Sequence, residues 1–210
     1  MARGISIKTL FEKKFNTFEF DGIWKDVLGE QERSGIWVIY ADEKNYKTYF
    51  TLMLAQYLSR FEKVNFISAE EGTGFTFQQN VARAKLDFKN SKIKFYNYLE
   101  IDEMKKVLNN REAGKITIID NATAYVDDLK SATLRVLLRT YPKQLFILIA
   151  HKEKEEPSTA MAKLAKKLSN VYINLSGSVA FVAGRCPGGK IIIDDQKAML
   201  FHGSEITKQS

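Results

Sequence analysis

Lys47 and Thr48 are the side chains of this sequence whose types and setting suit phosphate chemistry. They end the stretch Tyr40-Ala41-Asp42-Glu43-Lys44-Asn45-Tyr46-Lys47-Thr48, which follows an apolar run and precedes an amphipathic segment. A phosphate-binding loop has the pattern G-x-x-x-x-G-K-[ST] between a buried strand and a helix; its lysine neutralises phosphate and its hydroxyl binds Mg²⁺. Both glycines are replaced here, so the stretch is either an altered nucleotide site or one that has been lost.

The two replaced glycines differ in their expected effect. Glycine is needed in such a loop where φ is positive, or where a phosphate comes so close that a Cβ would collide. Tyr46 should therefore either point away through a shifted loop or occupy phosphate space, whereas the methyl group of Ala41 costs little at negative φ. A plainer interpretation is that Lys47 and Thr48 only begin a helix. The candidate nucleotide-binding residues are Ala41, Asp42, Glu43, Lys44, Asn45, Tyr46, Lys47 and Thr48.

Polar side chains also follow three other apolar runs. Glu70, Asp120 and His151 each come at or just after the end of such a run, and Glu71 stands beside Glu70. Ligands of open α/β sheets bind at the carboxyl ends of parallel strands, where these residues would meet. There a glutamate can polarise water, an aspartate can hold Mg²⁺ through its water shell, and a histidine can contact a terminal phosphate. The plainer interpretations are a helix cap, a turn cap and a surface polar residue, respectively.

The elements that must position these residues alternate between strand-like and helical patterns. Strands are predicted at residues 36–40, 64–68, 93–96, 115–119 and 145–149, and helices at about 47–60, 76–86, 100–110, 128–140 and 158–168. Short strands at 171–175, 179–184, 190–194 and 198–201 follow. This order predicts an α/β fold with a mostly parallel sheet flanked by helices and C-terminal β-hairpins.

Size and composition restrict the class of protein. The 210 residues are 45% hydrophobic, which fits one domain, with residues 1–34 as a lead-in packed on a core formed by residues 35–210. No stretch approaches the roughly 20 apolar residues that span a bilayer, so no membrane partner and a cytoplasmic location are expected. Cys186 is the single cysteine and excludes an internal disulfide. Zinc spacing, a Ser/His/Asp arrangement and a dinucleotide fingerprint are all missing from the sequence.

A net charge of +7 and a pI of about 9.3 suit an acidic partner such as nucleic acid, although the basic residues are spread along the chain. Two segments concentrate them. The first is a stripe along one predicted helix, formed by Lys163, Lys166 and Lys167. This stripe is either a solvated face or a surface that contacts a nucleic-acid backbone. A second segment interleaves lysines with aromatic residues that either join the core or stack on single-stranded DNA: Lys85, Phe88, Lys89, Lys92, Lys94, Phe95, Tyr96 and Tyr98.

Taken together, these motifs resemble the RecA-like P-loop ATPase core shared by RecA and replicative hexameric helicases. The sequence looks most similar to small ATP-binding proteins of this core in phages and mobile elements, particularly of Bacteroidetes, and to related phage single-strand annealing proteins. The resemblance covers roughly residues 18–203. Its supporting residues are the strand before the loop, Lys47-Thr48, Ser68-Ala69-Glu70-Glu71-Gly72, Ile118-Ile119-Asp120, Ile149-Ala150-His151 and Gly184-Arg185.

The resemblance implies ATP and Mg²⁺ as cofactors, and a ring or filament of subunits with ATP between them. By position it assigns Lys47 to phosphate, Thr48 to Mg²⁺, Glu70 to water activation, Asp120 to the outer shell of Mg²⁺, His151 to sensing and Arg185 to a neighbouring subunit's site. Arg185 also lies in a Gly/Pro-rich stretch that suits a turn without any ligand.

Two functions follow from these observations. The first is an ATP-binding RecA-like protein that acts on nucleic acid in phage or mobile-element recombination or replication, with an atypical loop and weak or no hydrolysis. The second is a non-catalytic pseudo-ATPase that serves as a binding or assembly module, and Tyr46 is its motivating residue.

Overall fold

The computed structural model describes residues 4–43 and 45–194, and one sheet organises that part of the chain. Its strands are β1 (Gly35–Ala41), β2 (Val64–Ser68), β3 (Ile93–Tyr96), β4 (Ile116–Asp120), β5 (Leu145–Glu153), β6 (Glu156–Pro157), β7 (Val171–Ser176), β8 (Val179–Gly184) and β9 (Gly189–Ile192). The helices are α1 (Ile7–Glu12), α2 (Gly22–Leu28), α3 (Lys47–Leu58), α4 (Phe75–Arg83), α5 (Ile101–Asn109), α6 (Ser131–Thr140) and α7 (Ala160–Leu168), and a 3₁₀ helix spans Ala122–Tyr125.

The strand order confirms the predicted α/β fold. In the described residues the order is β3-β2-β4-β5-β1-β7-β8-β9, with β6 paired to β5. Neighbours from β3 to β7 are parallel, whereas β6, β8 and β9 pair antiparallel. The carboxyl ends of β1, β2, β4 and β5 therefore share one edge of the sheet.

Both faces of the central strands are buried, which fits their continuous apolar sequences. Successive side chains of a strand point to opposite faces. Accordingly, Trp37 and Ile39 of β1 pack in the core that includes side chains of α3 and α4, while Val38 and Tyr40 pack in the core that includes side chains of α5, α6 and α7. Helices thus cover both faces and leave the strand ends to carry polar groups.

The segment before β1 contributes side chains to the first of these cores. The Phe18 and Phe20 rings stack with their centroids 5.0 Å apart and lie 6.3 and 6.4 Å from the Trp37 ring. Helix α2 buries Val27 and Leu28, whereas α1 buries none of its residues.

Several boundaries differ from the prediction. Helix α6 begins at Ser131 instead of residue 128 because turns follow the 3₁₀ helix. Strand β5 continues to Glu153 because its end pairs with both β1 and β6. The strand predicted at residues 198–201 and the loop residue Lys44 lie outside the described residues. Among the described helices, none combines the length and apolar character that crossing a bilayer requires.

Candidate functional site

Four predicted site residues from different elements meet at the carboxyl edge of the sheet. Lys47 begins α3, Glu70 follows β2, Asp120 ends β4 and His151 lies in β5 beside Ala41 of β1. The cleft between them, called here the carboxylate cleft, has a volume of about 410 Å³. Its lining residues are Glu43, Lys47, Thr48, Glu70, Glu71, Asp120 and His151.

The Lys47 ammonium is held by two acceptors. Its Nζ donates to the backbone oxygen of Asp42 at 3.2 Å and lies 2.8 Å from Nδ1 of His151. Burial lowers the pKa of Lys47, and the nearby carboxylates of Asp120 and Glu70 act in the opposite direction. The cleft therefore places a partly desolvated cation beside carboxylates. Such a set of charges can bind an anionic ligand together with a metal ion.

Asp120 is the most buried carboxylate of the cleft, with 7% of its surface exposed. Burial raises its pKa to about 6, while the Thr48 hydroxyl and the Lys47 ammonium oppose that rise. Its backbone oxygen accepts from the N–H of Ala69 at 2.6 Å and from that of Glu70 at 3.4 Å, so the end of β4 fixes the turn that follows β2.

Glu70 and Glu71 have different partners. Oε1 of Glu70 lies 3.4 Å from Nε2 of His151, and 56% of the Glu70 side chain is exposed. Glu71 accepts from the side-chain amide of Asn80 in α4, at 3.4 Å to each carboxylate oxygen. Glu70 thus lies beside His151 and is partly exposed to solvent, whereas Glu71 is bonded to the neighbouring helix.

Tyr46 takes the backbone conformation for which glycine is usually needed. Its φ of 54° and ψ of 10° are left-handed, and it immediately precedes α3. The ring lies 6.2 Å from that of Tyr49, and the Arg83 guanidinium carbon lies 5.5 Å from the Tyr46 ring centroid. The Tyr46 side chain therefore lines a second cleft and not the carboxylate cleft.

This second cleft, called here the aromatic cleft, has a volume of about 330 Å³. It adjoins the carboxylate cleft because Lys47 and Thr48 line both. Its full lining is Asn45, Tyr46, Lys47, Thr48, Tyr49, Asn80 and Arg83. Tyr49, Asn80 and Arg83 were not predicted as site residues, because none of them belongs to a loop motif or follows a strand.

The other loop residues are placed as follows. Ala41 is fully buried at the end of β1, where it pairs with His151 and with Leu175 of β7. The Asp42 carboxylate lies 3.7 Å from Nζ of Lys152, whose side chain is 6% exposed. Lys152 therefore compensates part of the loop's negative charge. It was missed because β5 was expected to end at residue 149.

Arg185 is not brought to this site. It follows Gly184, which pairs with Val171 at the first residue of β7, so it lies at the opposite edge of the sheet. Its N–H donates to the oxygen of Asn170, and its own oxygen accepts from Gln31. At this position Arg185 does not line the carboxylate cleft, and its reach into a neighbouring subunit stays a prediction.

Comparison with solved structures finds many proteins of similar architecture, among them the following two from archaea. The flagellar accessory protein FlaH from Methanocaldococcus jannaschii matches with a TM-score of 0.59 at 16% identity, over 85% of this chain and 92% of FlaH. A KaiC-like protein from Pyrococcus horikoshii matches with a TM-score of 0.61 at 15% identity, over 80% of this chain and 89% of that protein. In sequence, no family model and no curated protein matches. Both structural neighbours share this α/β architecture, so the comparison shows that the chain has the RecA-like P-loop fold.

Proposed function

We propose that this protein binds Mg²⁺-ATP in the two adjoining clefts. The observation that carries the proposal is that Lys47, Thr48 and Asp120 line one cleft, from which the Tyr46 ring is turned away. Although Tyr46 stands where a phosphate-binding loop has glycine, it therefore leaves the space beside Lys47 open.

The residues of the carboxylate cleft suit a phosphate chain with its metal ion. Helix α3 begins at Lys47, and the N-terminus of a helix favours anions. Magnesium in nucleotide sites is held by one or two protein groups together with phosphate oxygens and water. Thr48 can supply a hydroxyl and Asp120 a carboxylate that accepts from the metal's water. Positive charge from the metal would also favour the ionised form of Asp120, whose pKa burial raises.

The aromatic cleft suits the base of the nucleotide. The Arg83 guanidinium carbon lies 5.3 Å from the Tyr49 ring centroid, and the Asn80 side-chain amide offers hydrogen bonds. Planar cationic and aromatic groups stack on bases. Since Lys47 and Thr48 border both clefts, a phosphate chain at these residues would lead from one cleft to the other.

Hydrolysis is proposed to be weak or absent. Glu70 is the candidate for orienting water, but its carboxylate faces His151, and more than half of its side chain is exposed. A water-orienting group works best when its own position is fixed and solvent is excluded. An exposed glutamate meets neither condition well.

Calorimetric titration with Mg²⁺-ATP and Mg²⁺-ADP tests the proposal. We expect wild-type protein to bind both nucleotides, and Lys47→Met to abolish the heat of binding. Lys163→Met is a matched control because Lys163 is an exposed lysine of α7. Wild-type protein that gives no heat and no thermal shift with millimolar nucleotide would overturn the proposal.

A non-catalytic binding or assembly module is the second candidate, and the left-handed, non-glycine Tyr46 favours it. In that case the unaltered chain would bind no nucleotide, and Tyr46→Gly combined with Ala41→Gly would restore binding. Nucleotide binding by wild-type protein decides against this candidate.

We also infer that the protein acts on nucleic acid in phage or mobile-element recombination or replication, in a ring or filament. The support is the sequence resemblance, the charge of +7, and Phe88, which is 92% exposed between Lys85 and Lys89. By contrast, Phe95, Tyr96 and Tyr98 pack against the core.

Single-stranded DNA binding, measured by fluorescence anisotropy over a salt series, tests that inference. Binding should fall steeply as salt rises, and Phe88→Ala should weaken it by about 1–3 kcal/mol. Absence of binding at low salt would contradict the nucleic-acid role. A protein that stays monomeric in light scattering, both with and without nucleotide, would contradict the ring or filament.

A further inference from the structure

Lys47, His151 and Glu70 form a continuous chain of polar contacts across the carboxylate cleft. Nζ of Lys47 lies 2.8 Å from Nδ1 of His151, and Nε2 of the same ring lies 3.4 Å from Oε1 of Glu70. The imidazole thus connects the residue proposed to bind phosphate with the residue proposed to orient water. From the sequence, His151 was expected only to contact the terminal phosphate.

The direction of these contacts follows from donor chemistry. An ammonium group has three N–H donors and no lone pair, so Nδ1 of His151 accepts from Lys47. The neutral ring then carries its proton on Nε2, which faces the Glu70 carboxylate. A carboxylate 3.4 Å from the second nitrogen favours this tautomer.

The same contacts orient Lys47. Among the contacts of the described residues, the bonds to Asp42 and His151 use two of the three ammonium donors of Lys47. One donor therefore remains for a ligand. A lysine side chain has many rotamers, and a ligand that must order it loses affinity. His151 reduces that loss because it holds the ammonium in place beforehand.

Resting on the proposed nucleotide function, we propose that His151 is a positioning residue that aims the Lys47 ammonium at the phosphates, with the nearby Glu70 carboxylate favouring the required tautomer of the imidazole. This role differs from that of a terminal-phosphate sensor. A positioning residue affects every ligand that Lys47 binds, whereas a sensor affects only a triphosphate. Mg²⁺-ADP therefore separates the two roles.

Three substitutions separate the two nitrogens of the ring. His151→Phe keeps a planar ring and removes both polar contacts. His151→Asn places an amide near the position of Nδ1, and His151→Gln places one near that of Nε2. Circular dichroism and thermal melting would show whether each variant folds, and the Asn and Gln pair suffices if the Phe variant does not.

We expect His151→Phe to weaken Mg²⁺-ADP and Mg²⁺-ATP binding by the same factor, about threefold to tenfold, which is the worth of one hydrogen bond. His151→Asn should recover most of the lost affinity, and His151→Gln should not. A loss confined to Mg²⁺-ATP, an unchanged or tighter ADP affinity in the Phe variant, or equal losses in Asn and Phe would each overturn the inference.

Nitrogen NMR of ¹⁵N-histidine-labelled, nucleotide-free protein gives a readout that does not depend on binding. The Nδ1 signal of His151 should be that of an unprotonated acceptor and should move in Lys47→Met but not in Lys163→Met. If the Nδ1 signal does not move in Lys47→Met, the contact is absent and the inference fails. If the contact is present but neither wild type nor any His151 variant binds nucleotide, the proposed function fails and the inference falls with it.

Discussion

The Arg83 guanidinium carbon lies 5.5 Å from the centre of the Tyr46 ring, and this contact fixes the side of the loop on which the ring lies. The ring belongs to the aromatic cleft, on the α4 side of Lys47. A tyrosine at this point is therefore compatible with an open carboxylate cleft, provided that the backbone accepts the left-handed conformation that it shows.

The left-handed conformation of Tyr46 gives the first prediction. A non-glycine residue there costs about 1–2 kcal/mol, and a cation–π contact returns about 0.5–1 kcal/mol. Tyr46→Ala keeps the backbone cost and loses the ring, whereas Tyr46→Gly loses both. We expect the Gly variant to have the higher free energy of unfolding of the two, by about 1 kcal/mol, in urea titrations. An Ala variant as stable as the Gly variant would show that the backbone at residue 46 is not strained.

Arg83 supplies the second prediction, on the base of the nucleotide. Arg83→Gln removes the planar cation from the aromatic cleft and should weaken Mg²⁺-ATP binding about twofold to fivefold, the usual worth of one cation–π contact. Binding of Mg²⁺-tripolyphosphate, which has no base, should not change. Arg111→Gln serves as control because Arg111 is an exposed arginine outside both clefts. Equal losses for ATP and tripolyphosphate would place Arg83 at the phosphates.

The third prediction concerns the pH dependence of stability. Burial raises the pKa of Asp120 from 3.8 to about 6, which corresponds to about 3 kcal/mol. The folded state therefore binds this proton more tightly than the unfolded state, and the contribution of Asp120 to stability falls as pH rises from about 4 to about 6. Asp120→Asn removes this cost, so it should be more stable than wild type by up to about 3 kcal/mol at neutral pH and by little at low pH.

Chemical unfolding of wild type and Asp120→Asn across this pH range checks the sign. Asp102→Asn is a matched control, since the hydrogen bond from Lys105 holds the pKa of Asp102 below its ordinary value. Relative to wild type, Asp102→Asn should gain no stability as pH rises. A pH-independent difference between wild type and Asp120→Asn would mean that Asp120 does not titrate near 6 in the folded state.

Lys152 gives the fourth prediction. It lies 3.7 Å from the Asp42 carboxylate and 3.5 Å from that of Glu155, and both carboxylates are largely exposed. Exposed partners weaken such pairs, so Lys152→Met should cost only about 1 kcal/mol of stability. It should also weaken nucleotide binding, because the charge of Asp42 then stands uncompensated beside the phosphates. Asp42→Asn in the same chain should restore the affinity, and a double-mutant cycle measures the coupling.

The sequence was sufficient to predict that Glu70, Asp120 and His151 meet at one edge of the sheet. Glu70, Asp120 and His151 each end a run that is apolar on both faces, and parallel strands bring such ends to one edge. The position of the Tyr46 ring could not be predicted, because it depends on Arg83 of α4, a contact between segments far apart in sequence. The end of β5 could not be predicted either. Its last residues are polar, and they are extended because they pair with β1 and β6.

His151 and Lys152 are consecutive residues of β5, and their contacts lie on opposite faces of the strand: one meets Lys47 and Glu70, the other meets Asp42 and Glu155. Because side chains alternate along a strand, inserting or deleting a single residue just before them would exchange the two charge sets. Natural relatives that keep this site should therefore vary here by substitution, and length changes should be confined to the turn after Glu153. We therefore expect the number of residues between Leu145, where β5 begins, and Lys152 to be constant among relatives that keep this site.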